Sequence, residues 1–155
     1  MTIEDDIAFF ERVPTLGMLG RGPLRILAIG AESRYVQTGD TLFSAGDEAD
    51  CGYVVQEGSF RLVPPRVAED GNGVTVGVGT LLGELALFTD TKRPVTATAL
   101  EPSTVLRIPR PLFLKMLEGY PDAAARLRDT LARRIAESDT EMQRIRTVID
   151  PAPQK

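Results

Sequence analysis

The period of the apolar positions changes along the chain. Between Ile3 and Leu27 they fall at Ile7, Phe10 and Val13, then at Leu24 and Leu27, interrupted by Pro14, Gly17, Gly20, Gly22 and Pro23. That spacing predicts short helices joined by turns. From about Ser33 the runs shorten to four to eight residues rich in Val, Leu, Tyr, Phe and Thr. They are bounded by Gly39-Asp40, Gly46-Asp47, Glu57-Gly58 and Gly71-Asn72-Gly73, the turn chemistry of an antiparallel β structure. The expected strands are Arg34 to Thr38, Thr41 to Ser44, Gly52 to Gln56, Ser59 to Val63, Val74 to Val78, Val95 to Ala99 and Thr104 to Ile108. Leu82 to Phe88 is poor in β-branched residues and reads as one or two helical turns.

From Pro111 the helical period returns. Leu127, Leu131, Ile135, Ser138, Met142, Ile145 and Ile149 are spaced three or four apart, one stripe of a long helix beginning near Asp122. The expected fold is mainly β with flanking α: an antiparallel jelly-roll-like β-barrel with short N-terminal helices and a long C-terminal helix. One domain over 1–150 is expected, with the roll at about 33–109, C-terminal helices at about 110–149, a tail at 151–155 and no further domain after it. The half of the stripe from Ile135 to Ile149 runs for about 20 Å at 1.5 Å per residue, more than a barrel of this size would cover. A parallel homodimer through that helix is therefore expected.

Composition narrows the function. With 43% hydrophobic and 26% charged residues the chain reads as a globular domain, and no run approaches the roughly 20 apolar residues of a membrane span. The acidic start, MTIEDDIAFFERV, does not resemble a signal peptide, so a cytoplasmic location is expected. There is no histidine and a single cysteine, Cys51, which removes Ser-His-Asp and Cys-His catalysis and the usual zinc sites. The reading is therefore not an enzyme, with no catalytic residue, no metal and no cofactor. A net charge of −4 gives no general attraction to nucleic acid. Arg126, Arg128, Arg133 and Arg134 alternate with Asp122, Asp129, Glu137 and Asp139 and read as a charge-balanced helix surface. Asp47, Glu48 and Asp50 lack the spacing of a calcium loop and read as a solvated turn, and Cys51 reads as a plain strand or turn residue.

The informative stretch is GELALFTDTKRPVTA, Gly83 to Ala97. A glycine opens a short helix, an acid follows at once, and an arginine comes nine residues after that acid. A helix start offers unpaired N–H groups, Gly83 allows close approach to the backbone, and Arg93 can meet a phosphate with a planar two-pronged fork. Glu84, an acceptor when ionised, suits a sugar hydroxyl beside that phosphate.

This pattern, Gly-Glu-Leu-Ala-Leu, a variable loop and Arg-x-x-Thr, resembles the phosphate-binding cassette of cyclic-nucleotide-binding domains, as in catabolite activators and kinase regulatory subunits. GDEADCGYVVQEG, Gly46 to Gly58, is similar to a second signature of that family. The resemblance spans roughly Phe9 to Ile149. It implies that Glu84 holds the ribose 2′-hydroxyl, that Arg93 pairs with the cyclic phosphate, and that backbone groups of Leu85 and Ala86 assist beside Gly83. Pro94 and Val95 complete the ligand-binding set, and Ser138 on the long helix is the candidate base contact, Asp139 a lesser one. Cyclic AMP is favoured over cyclic GMP, because Pro94 stands where guanine-selective relatives often carry a threonine. The implied role is a stand-alone sensor without a helix-turn-helix, acting through an unknown effector protein. Many members have Pro-Arg-Ala where this chain has Lys92-Arg93-Pro94, and the residue after the arginine gives its N–H to the phosphate. Proline has none. One donor to a charged group is thereby lost, about 1.5–3 kcal/mol, partly offset by Lys92. The alternative is a ligand-free dimeric interaction module whose vestigial pocket Pro94 marks.

Overall fold

A computed structural model describes residues 2–65 and 73–133. Two helices lead the chain, α1 (Ile3–Glu11) and α2 (Arg21–Gly30), with a 3₁₀ turn at Leu16–Met18 between them. α1 starts where Thr2 and Asp5 make a reciprocal capping box. The Asp5 N–H donates to Thr2 Oγ1 at 3.1 Å and the Thr2 N–H to Asp5 Oδ2 at 3.2 Å. Ten strands follow: β1 (Glu32–Val36), β2 (Thr41–Phe43), β3 (Glu48–Ala49), β4 (Cys51–Glu57), β5 (Phe60–Val63), β6 (Val74–Val76), β7 (Leu81–Leu82), β8 (Thr91–Lys92), β9 (Thr96–Ala99) and β10 (Ser103–Pro109). A 3₁₀ turn at Glu84–Leu87 separates β7 from β8. α3 (Arg110–Gly119) follows β10, and α4 runs over 121–133 of the described residues.

The strands form two four-stranded antiparallel sheets, in the orders β1-β10-β4-β7 and β2-β9-β5-β6, and a two-stranded ribbon of β3 and β8. The alternation of the central strands explains how one sheet serves two cores. Val54 of β4 and Leu106 and Ile108 of β10 point toward the helices, where they join Ile7, Phe10, Leu24, Leu27, Phe113, Met116 and Leu127. Cys51, Tyr53 and Val55 of β4 and Val105 of β10 point the other way, into the roll, with Val36, Phe43, Phe60, Leu82, Ala97 and Ala99.

The architecture is the expected roll with flanking helices, and all seven expected strands are present. The differences are local. Leu82 belongs to β7, and only Glu84–Leu87 is helical. β3, β7 and β8 have two residues each, too few to show a period in the sequence. Ser138 and the stripe from Ile135 to Ile149, with the expected homodimer, lie outside the described residues. Among the described residues no helix is long and apolar enough to cross a membrane.

Candidate functional site

The site is built on a left-handed glycine. Gly83 has φ 80° and ψ 37°, which other residues rarely adopt, and it turns β7 directly into the 3₁₀ helix. A Cβ there would collide with Arg93 Nη1 and lie 3.2 Å from the carbonyl oxygen of Cys51. The glycine is thus required both for the turn and for the close approach of the arginine. Ala86 and Leu87 are buried beneath the turn, while Leu85 is exposed. The Ala86 N–H donates to the Gly83 carbonyl at 3.0 Å.

Arg93 follows β8, and the Gly46-Asp47 turn fixes its backbone. Its N–H donates to the Asp47 carbonyl and its carbonyl accepts from the Gly46 N–H, both at 2.8 Å. The side chain is only 5% exposed. Its guanidinium carbon lies 4.4 Å from the centroid of the Phe43 ring and 5.4 Å from that of Tyr53, two rings stacked at 5.9 Å and 20°. Nη2 donates to the Cys51 thiol at 3.3 Å. Nη1 is buried and has no hydrogen-bond partner among the described residues.

A buried donor left unpaired costs about 1–3 kcal/mol, and two aromatic faces return about 0.5–2 kcal/mol per contact when desolvated. The charge is therefore tolerated rather than neutralised: Arg93 forms no ion pair among the described residues. Burial first, and then the neighbouring Cys51 side chain, push the Tyr53 phenol up from its ordinary value, against the lowering effect of Arg93. The two-pronged fork expected from the sequence is partly spent inside the protein. Nη2 faces a thiol, and Nη1 is the prong left open.

The arginine borders a cavity of about 470 Å³, within the range of about 300–1,000 Å³ usual for small-molecule sites. Its walls are mostly apolar, with Phe43, Leu62 and Leu81 from the roll. Glu84 is half-buried on one wall and accepts a hydrogen bond from the Thr15 hydroxyl. Lys92 is on the rim and pairs with Glu48 at 3.2 Å, both largely exposed. Chemically the cavity combines three kinds of surface. A cation with an open donor stands on one wall, a carboxylate acceptor on another, and apolar surface covers the rest.

Seven of the eight residues expected from the sequence, Gly83, Glu84, Leu85, Ala86, Arg93, Pro94 and Val95, line this one cavity. The eighth, Ser138, lies outside the described residues. Sequence reasoning missed Phe43 and Tyr53, which seat the arginine, and Thr15, which holds Glu84. Cys51 is a strand residue as read, yet its thiol touches the site's cation. Tyr53 could have been suspected from the block Gly46 to Gly58. No sequence signal marks Thr15, which acts across 69 residues.

The family model described as "Cyclic nucleotide-binding domain" matches residues 33–120. Lysophospholipase NTE1 of Chaetomium globosum is 33% identical over 104 residues, 64% of this chain and 7% of that protein. The cyclic AMP receptor protein of Thermus thermophilus is 30% identical over 112 residues, 72% of this chain and 52% of that protein. Among solved structures, the N-terminal domain of a transcriptional regulator from Streptomyces coelicolor A3(2) superposes with a TM-score of 0.76 at 31% identity, covering 86% of this chain and 94% of that one. The chain thus spans about half or much less of the length of these curated relatives.

Proposed function

The chain belongs to the cyclic nucleotide-binding domain family, and from that premise we propose that it is a sensor whose cavity takes a cyclic nucleotide, cyclic AMP in preference to cyclic GMP. The observation that carries this reading is the buried Arg93 with an open Nη1 beside a glycine whose Cβ would fill the space. An anion is what that donor lacks. The cyclic phosphate meets Nη1, the ribose hydroxyl meets Glu84, and the base lies along the apolar wall at Leu62, Leu81 and Val95. Ser138 is proposed to touch the base from the C-terminal helix, which would also pair two copies.

The output is regulatory and passes to a partner protein. Ligand shifts the conformational equilibrium only by its difference in affinity for the two states. The hydrolase activity in the name of the fungal relatives is not carried over, since the similarity spans 7% of that protein.

Pro94 favours a second reading, an interaction module that keeps the fold without its ligand, because a cavity-lining residue after the arginine offers no N–H. Isothermal titration with cyclic AMP and cyclic GMP separates the two. Saturable binding that weakens about 100-fold or more in Arg93→Ala, some 2.7 kcal/mol, is expected from the sensor. No heat up to millimolar nucleotide would leave the interaction module.

A further inference from the structure

The cavity wall is made of elements too short to hold their own shape. A four-residue 3₁₀ turn and two strands of two residues each form its cassette side, and such pieces need support from outside. Part of that support comes from one side chain, Arg110, the first residue of α3. Its Nε donates to the Ala86 carbonyl at 2.8 Å, its Nη2 to the Ala49 carbonyl at 2.5 Å, and its Nη1 to Asp90 Oδ1 at 2.9 Å. Its backbone N–H donates to the Asp50 carbonyl at 2.9 Å. Ala86 and Ala49 both line the cavity, and Asp90 precedes Thr91, which does so too.

Local helix energetics do not explain a cation at this place. Arg110 occupies the positive end of the α3 dipole, with no acidic residue in the first turn and no side-chain cap. A guanidinium is needed there because its planar fork reaches three acceptors on three segments at once. Arg110 does not line the cavity, so it acts on a ligand only through the groups it holds.

We propose that Arg110 is a positioning residue for ligand binding: it holds the 3₁₀ turn and the β3–β8 ribbon in their binding shape and ties that shape to α3. The inference rests on the cyclic-nucleotide reading for its affinity arm and stands without it for its structural arm.

The test uses the full chain with Arg110→Gln, Arg110→Lys and Asp90→Asn, titrated with cyclic AMP at a temperature where each is folded. Arg110→Gln is expected to weaken binding about tenfold or more, and Asp90→Asn, whose carboxylate is 93% exposed, less than about threefold. Arg110→Lys recovers part of the loss, since a single ammonium can still reach one carbonyl. In the ligand-free protein, amides over 84–92 of Arg110→Gln exchange faster while those of Val54, Val55 and Leu106 keep their protection.

Wild-type affinity in Arg110→Gln, or exchange that rises evenly over the chain, overturns the inference. If the wild type itself binds no nucleotide, the sensor reading fails and the exchange pattern alone judges Arg110. If Arg110→Gln does not fold, Arg110→Lys is judged by the same two criteria.

Discussion

The two cores share a sheet and are built to different ends. The helical side of β4 and β10 packs through apolar side chains against α1, α2, α3 and Leu127 of α4. The roll side encloses Cys51, Tyr53, Val55 and Phe60, and against it stands a buried arginine with an unpaired donor, bordering a cavity. The first core gains its stability from apolar burial, although a cavity of about 390 Å³ lies beside it at Phe88, Leu117, Leu127 and Leu131. The second borders a cavity of about 470 Å³ and keeps a charge out of water without a counter-ion among the described residues, an arrangement that costs stability. The two faces of one pair of strands thus differ: one packs apolar side chains against helices, and the other borders the cavity with its buried charge.

The largest effect that can break this division is expected on the helical side. Phe10 is fully buried there, and Phe10→Ala should cost about 3–5 kcal/mol in urea unfolding. The affinity of the remaining folded molecules for cyclic AMP should not change. A matching loss of affinity would mean that the helical core also shapes the site.

A change of opposite sign is expected across the sheet. Arg93→Met keeps an unbranched apolar stem beside Phe43 and Tyr53, gives up the guanidinium's contact with their rings, and removes the uncompensated charge. The ligand-free variant should be more stable by about 2 kcal/mol, as when buried ionic groups are replaced by apolar ones. A stability loss of that size would show that the arginine belongs to the scaffold, and the contrast between the cores would disappear.

How much of this was legible in the sequence follows the same line. The long strands and the Gly83-to-Ala97 cassette are local patterns and stand close to where their period and spacing put them, and of the helical stripe Leu127 and Leu131 lie on α4 within the described residues. What the sequence concealed are contacts between distant residues. Phe43 reads as one more strand aromatic until the roll lays it against Arg93. Only the fold brings Ala49, Ala86 and Asp90 around Arg110. Arg126 reads as part of a charge-balanced helix surface and is exposed there, and its guanidinium also donates to the carbonyls of Met18 and Leu19 at 3.1 and 3.0 Å. Arginines that bridge backbone carbonyls across the chain leave no period behind them, so a reading based on spacing does not find these contacts of Arg110 and Arg126.

The smallest expected effect lies at the seam between the two cores. Thr15 is buried 69 residues upstream of Glu84, and its hydroxyl donates to the carboxylate on the cavity wall. Thr15→Val keeps the shape and deletes that donor, so a loss of about 1 kcal/mol in unfolding free energy is expected. A double-mutant cycle with Glu84→Gln isolates the pair from the other contacts of both side chains. A coupling near that value, reduced when cyclic AMP is bound, would show the ribose hydroxyl and Thr15 drawing on one carboxylate, so that filling the cavity is felt in the helical layer. Coupling unchanged by ligand would confine the nucleotide's influence to the roll and make the division between the cores complete.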